Sequence, residues 1–164
     1  MIDKIISDRN ALAAILAELK SNNKKIVFTN GCFDLIHVGH IRYLQECKNN
    51  GDLLVVGINT DHSVRINKGD TRPVLPLADR AEIIAALEMV DFVVPFDEKT
   101  PFETIRILQP NILIKGGDYT LDTIVGKDDV ISWGGEVLTI PLIEGKSTSS
   151  IIDRVLQKFG KKHE

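Results

Sequence analysis

Residues 24–40 read Lys24-Lys25-Ile26-Val27-Phe28-Thr29-Asn30-Gly31-Cys32-Phe33-Asp34-Leu35-Ile36-His37-Val38-Gly39-His40. Lys25 to Thr29 is a short run rich in β-branched and aromatic residues, which predicts a buried strand. A loop containing Gly31 follows. Ile41, Leu44 and Cys47 then fall at helical spacing, closed by Asn49-Asn50-Gly51. A strand, a loop and a helix in that order open an α/β sheet. In such sheets ligands bind beyond the carboxyl ends of the strands. The loop after Thr29 therefore stands where a ligand belongs.

Outward from this stretch the alternation repeats. Leu53 to Ile58 is a continuous apolar strand, as expected when both sheet faces are covered. Asn59 to Pro76 is polar, carries Gly69, Pro73 and Pro76, and reads mostly as loop. Ala78 to Val90 predicts a helix and Phe92-Val93-Val94 a strand. Pro101 to Leu108 predicts a helix, with Thr100 as N-cap and Pro101 at the first helical position. Ile112-Leu113-Ile114 is a strand, Asp128 to Trp133 a short helix, Glu136 to Ile140 the last strand and Ser149 to Phe159 the last helix. Arg9 to Leu19, capped by Asp8, is a helix that precedes the rest and is expected on the outside of the domain. The pattern predicts a doubly wound α/β fold with right-handed crossovers. The expected organisation is an N-terminal helical extension over residues 1–23, one domain over 24–160 and a frayed tail over 161–164.

Composition narrows the classes. The net charge of −3 argues against a protein built mainly to bind nucleic acid, although it leaves room for a local basic pocket. No apolar stretch is long enough to span a membrane, and the N-terminus lacks a signal-peptide core, so a cytoplasmic protein is expected. Cys32 and Cys47 fit neither a zinc pair nor a disulfide framework.

The loop chemistry points to phosphate. Gly31 permits close backbone approach. Gly39 lies in the opening turn of the next helix, where free N–H groups and the helix dipole favour an anion. His37 and His40 are three residues apart, which puts both imidazoles on one side of a helical turn. Each can donate an N–H to a phosphate oxygen. The residues alone leave open a metal half-site or a surface pair. A zinc site would require further ligands nearby.

Gly31-Cys32-Phe33-Asp34 followed by His37-Val38-Gly39-His40 (the HxGH motif) resembles the signature of the cytidylyltransferase-like nucleotidyltransferases. Ser147-Thr148-Ser149-Ser150-Ile151-Ile152 resembles the Ser/Thr motif that accompanies it near the C-terminus. Within that family the chain is most similar to the heptose 1-phosphate adenylyltransferases. The segments carrying this are Phe28 to Asp34, Lys68-Gly69-Asp70-Thr71-Arg72-Pro73-Val74, Val90-Asp91, Ile114-Lys115-Gly116-Gly117-Asp118-Tyr119 and Gly134 to Val137. The similarity runs from Lys24 to Phe159 and is to the stand-alone form, without a preceding sugar kinase. It implies a Rossmann-like five-stranded parallel sheet in order 3-2-1-4-5. It also implies transfer of an adenylyl group from ATP, with magnesium, to a sugar 1-phosphate, supplying ADP-heptose for lipopolysaccharide or other surface glycans. A homodimer is implied as well.

The resemblance also implies roles for residues. His37, His40 and Lys68 are the expected catalytic groups. Asn30, Gly31, Cys32, Phe33, Gly39, Lys115, Gly117, Asp118, Ser147, Thr148 and Ser149 join the histidines in holding the nucleotide. Asp34, Lys68, Arg72 and Arg80 serve the acceptor and its phosphate; Asp34 braces the loop rather than acting as a base. Arg80 is read as a phosphate ligand, with a helix-surface charge as its alternative. Tyr119 and Trp133 either cover a base or pack in the core. Magnesium is expected to arrive with ATP, so no metal-ligating residue is assigned. Two other readings stay open: a cytidylyltransferase of a small alcohol phosphate such as glycerol 3-phosphate, and a nucleotide-binding module without catalysis.

Overall fold

The computed structural model describes residues 4–117, 120–141, 145 and 147–160. In order, these residues form α1 (Arg9–Ser21), β1 (Ile26–Gly31), α2 (Val38–Lys48), β2 (Leu53–Asn59), α3 (Asp61–Lys68), α4 (Leu77–Ala85), β3 (Phe92–Phe96), α5 (Phe102–Leu108) and β4 (Ile112–Gly116). A 3₁₀ turn (Leu121–Thr123), α6 (Lys127–Ser132), β5 (Glu136–Ile140) and α7 (Thr148–Phe159) follow. The five strands are parallel, in the order β3-β2-β1-β4-β5. The expected doubly wound sheet is thus the one observed.

Strand alternation splits the core into two layers. Val27, Leu54, Val56, Ile58, Val93 and Ile114 face α2 and α4, against Tyr43, Leu44, Cys47, Ala81 and Ile84. Ile26, Phe28, Val55, Val94 and Leu113 face the other way, against Leu12 and Leu16 of α1, Ile105 and Leu108 of α5, and Val130 of α6. With both faces covered, the strands need continuous apolar runs, which is why they are legible in the sequence. Gly57 is required by this packing, because a Cβ there would stand 2.7 Å from Cζ of Phe28. At the sheet's edge, Val93 N–H donates to the Lys4 carbonyl and Ile6 N–H to the Val93 carbonyl, so the N-terminal segment covers β3. Asp8 caps α1 as expected, accepting from the N–H groups of Asn10 and Ala11.

Four elements differ from the sequence reading. Residues 61–68, expected as loop, form α3. Thr60 caps it by accepting from Ser63 N–H, and Ser63 and Val64 are buried. One buried aliphatic residue in eight is too few to register as a helical period. The helix expected over 78–90 ends at Ala85, with Ala86 as C-cap. Leu87 and Val90 continue the apolar spacing from turns, whose carbonyls accept from Lys4 Nζ. Pro101 is the N-cap of α5 rather than its first residue, and Thr100 does not cap it. The 3₁₀ turn at Leu121–Thr123 was not anticipated. Among the described residues no helix is long and apolar enough to cross a membrane.

The chain leaves β1 toward β2 and β3, then returns past β1 to β4. The carboxyl ends of β1 and β4 therefore flank the point where strand order reverses, where an open α/β sheet presents its ligand crevice.

Candidate functional site

A cavity of about 610 Å³ opens at this switch point, within the range of small-molecule sites. Asn30, Gly31, Cys32, Phe33 and Asp34 form one wall. His37, Gly39 and His40 line it from α2, Lys68 and Arg72 from α3 and the segment after it, Lys115 from β4, and Ser147, Thr148 and Ser149 from the start of α7. Motifs more than a hundred residues apart thus meet. Thr148 Oγ1 donates to the Leu35 carbonyl at 3.4 Å, tying α7 to the first loop.

The first loop is shaped by Phe33, which takes a left-handed backbone (φ 45°) and buries its ring. That ring lies over Gly31, where a Cβ would meet Phe33 Cε2 at 3.0 Å. It also meets His40 edge-on, with centroids 5.4 Å apart. His37 is the N-cap of α2, and its Nδ1 accepts from Gly39 N–H at 3.1 Å. The Gly39 N–H is therefore not the free donor expected from the sequence; His37 takes it. An Nδ1 that accepts leaves the ring proton of a neutral imidazole on Nε2.

His40 stacks on His37 with ring centroids 3.9 Å apart. Its Nδ1 is buried with no hydrogen-bond partner among the described residues. A proton there would be an orphan donor, so the neutral ring holds it on Nε2 as well. Burial, and then the charge of His37, pull the His40 pKa down to about 4. His40 is thus a neutral donor at neutral pH.

Cationic side chains line the cavity. Burial lowers the Lys115 ammonium, whose Nζ donates to Asn30 Oδ1 at 3.3 Å. Burial pushes the Cys32 thiol up, against the pull of Lys68, Arg80, Arg72 and Lys115. Four positive groups acting on one thiol mark a local basic field in a chain of net charge −3. Ser147 and Ser150 form a reciprocal capping box at the start of α7.

Asp34 is buried and committed. It accepts from Arg72 Nε at 2.7 Å and from the N–H groups of Val74 and Leu75 at 2.9 Å. Burial alone would raise its carboxyl, but these donors outweigh it and hold the pKa below the usual range. The carboxylate braces the segment after α3 and is not placed to act as a base. Among the described residues no three His, Cys, Asp or Glu side chains come together as a metal cage.

The structure gathers most of the expected site residues on one cavity and sets two of the described ones aside. Arg80 is fully buried behind the wall, with its guanidinium on the Cys32 and Leu75 carbonyls and on Asp61, so it is neither a phosphate ligand nor a surface charge. Gly116 lines the cavity, whereas Gly117 lies one residue beyond and donates its N–H to the Ile140 carbonyl. Asp118 falls outside the described residues, as do Tyr119 and residues 161–164. Trp133 packs against the core layer beside α6, and its Nε1 donates to the Pro110 carbonyl. Sequence reasoning missed Tyr43, Asn59, Asn67, Lys99 and Thr123 on the cavity wall. Asn59 and Lys99 lie at or just beyond strand ends, a position that could have marked them.

Comparison with known proteins gives the family. The cytidylyltransferase-like family model matches residues 28–154. The chain is 52% identical over 158 residues to the bifunctional protein HldE of Geobacter metallireducens, covering 96% of this chain and 32% of that protein. It is 54% identical over 153 residues to the HldE protein of Geotalea uraniireducens, covering 93% and 31%. It therefore spans about a third of the length of these curated relatives. Among solved structures, a lipopolysaccharide core biosynthesis protein from Thermoplasma volcanium aligns with a TM-score of 0.61 at 29% identity, over 75% of this chain and 99% of that one. A pantoate-beta-alanine ligase from Francisella tularensis shares the fold, with a TM-score of 0.62 at 17% identity over 93% and 78%.

Proposed function

The chain belongs to the cytidylyltransferase-like family, and from that membership we propose that it is a nucleotidyltransferase joining ATP to D-glycero-β-D-manno-heptose 1-phosphate, with release of pyrophosphate. The carrying observation is the stacked His37–His40 pair sharing one cavity with the start of α7 and with Lys68, Arg72 and Lys115. Identity of about half to HldE proteins and similarity to a lipopolysaccharide core biosynthesis protein support the heptose acceptor and a surface-glycan destination.

The acceptor phosphate is already an anionic nucleophile, so no strong base is needed. Its oxygen attacks the α-phosphorus of ATP, a new P–O bond forms, and the bond to the β-phosphate breaks as pyrophosphate leaves. The site's task is to hold the two in line and stabilise the charge on the α-phosphate. Nε2–H of His37 and of His40 donate to phosphate oxygens. Ser147, Thr148 and Ser149, with the N–H groups that open α7, receive the outer phosphates. Lys68 and Arg72 align the acceptor phosphate, and Asn30, Gly31, Cys32, Phe33, Lys115 and Asp118 contact the nucleotide. Asp34, the one carboxylate lining the cavity among the described residues, is already committed to Arg72, Val74 and Leu75, so no magnesium ligand is assigned. Magnesium would arrive with ATP and supply charge neutralisation on the triphosphate. A second copy of the chain as partner, and action in the cytoplasm, complete the reading.

Pyrophosphate release from a matrix of nucleotides and acceptors tests it. ATP with heptose 1-phosphate should turn over best. A clear preference for CTP with glycerol 3-phosphate would replace the substrate assignment. Tight ATP binding without turnover on any sugar phosphate would leave a nucleotide-binding module. Light scattering over a concentration range tests the dimer.

A further inference from the structure

We propose that Arg80 is a positioning residue that locks the loop after β1 to the segment after α3. The inference rests on reading the cavity as a nucleotidyl-transfer site. Arg80 has no exposed surface and points inward from α4. Its Nη1 donates to the Cys32 carbonyl at 2.6 Å, its Nε to the Leu75 carbonyl at 2.9 Å, and its Nη2 to Asp61 Oδ1 at 2.7 Å. The Leu75 N–H is meanwhile held by Asp34, two residues from Cys32. Leu75 is gripped from both sides, and a closed ring runs from Cys32 through Arg80 and Leu75 to Asp34.

Two things on the cavity wall follow from that ring. Asp34 takes only Nε of Arg72. The ring thus fixes where the Arg72 guanidinium stands before any substrate arrives. The Cys32–Phe33 peptide is fixed too. A trans peptide unit points its N–H opposite to its C=O. With the Cys32 carbonyl turned back onto buried Arg80, the Phe33 N–H turns the other way, toward the cavity that Cys32 and Phe33 line. Arg80 thereby presets one backbone donor and one guanidinium for an anion, without touching it. Only a planar fork can serve three acceptors in this way, which separates Arg from Lys at this position.

The test is R80K, alone and combined with R72A, with D61N as a milder variant that weakens only the third contact. With thermal melts confirming a folded state, R80K should lower kcat about 100-fold while KM for ATP moves within about threefold, the pattern of a lost transition-state contact. The R80K/R72A double variant should lose less than the product of the single losses, because part of Arg80's effect runs through Arg72. Amide exchange should accelerate at Val74 and Leu75 in R80K and stay unchanged in β1 and β2. D61N should move both readouts the same way by less, and it carries the test if R80K does not fold. Unchanged kcat per folded molecule, or full additivity together with unchanged protection at Leu75, would overturn the proposal. If the wild type turns over no sugar phosphate, the functional reading fails, and the exchange measurement still decides the lock.

Discussion

His40 lies flat on His37, edge-on to Phe33, with a buried Nδ1. A ring so placed resists a second proton. Its unfolded-state pKa is near 6.5 and its folded value about 4. Between those values the unfolded chain binds the extra proton and the folded chain does not. Stability is therefore undiminished above about pH 6.5, falls as pH drops toward 4, and levels off below. In an NMR titration of the ligand-free protein, one imidazole should titrate near pH 4. A full set of histidine midpoints near 6.5 would mean that the stack is not formed. The H37A variant should raise the His40 midpoint only partly, because burial is the larger cause. For chemistry, H37A or H40A should each lower kcat by about 10²–10³, the worth of one preorganised donor, with melting largely preserved. Wild-type turnover in the double variant would remove the pair from the mechanism.

Among the elements, α3 carries the sharpest test. Its N-cap Thr60 accepts from Ser63 N–H and also bonds Asp97, and its far end carries Lys68 to the cavity. T60A should destabilise the protein by about 1 kcal/mol in urea melts, and it should raise KM for the acceptor by loosening Lys68. Unchanged melts would show that α3 is held by its packing and not by its cap. This helix was invisible in the sequence because its inward face is built from Ser63 and one valine. The strands were legible because burial on both faces demands unbroken apolar runs. The same logic overextended the helix after Pro76, since Leu87 and Val90 pack on the core from turns with i→i−3 bonds rather than an α-helical ladder. The site divides similarly. Its phosphate-facing half, His37 to His40 and Ser147 to Ser149, is written in local patterns at helix starts. Asn59, Asn67 and Lys99 carry no such pattern, and their place on the wall comes only from the sheet that gathers them. Arg80 was misplaced because no helical spacing distinguishes an arginine facing solvent from one turned inward onto carbonyls.

At the scale of the whole molecule, the question is whether residues 1–23 are an appendage or part of the fold. Leu12 and Leu16 are fully buried against Phe28, Val55 and Val94, and α1 with α5 covers that face of the sheet. Lys20 Nζ donates to the carbonyls of Leu108 and Gln109 at the end of α5, and Arg9 pairs with Glu98. Residues 4–6 cover the edge of β3. Truncating one buried leucine to alanine costs about 2–5 kcal/mol. Two of them thus approach the whole stability of a typical domain, about 5–15 kcal/mol. A chain beginning at Lys24 should therefore lose its cooperative melt and bind a hydrophobic dye, while L16A in the full chain should melt several degrees lower and keep its turnover. A truncated chain that melts cooperatively within a few degrees of the full one would show that the helix is an appendage and that the second core layer stands without it.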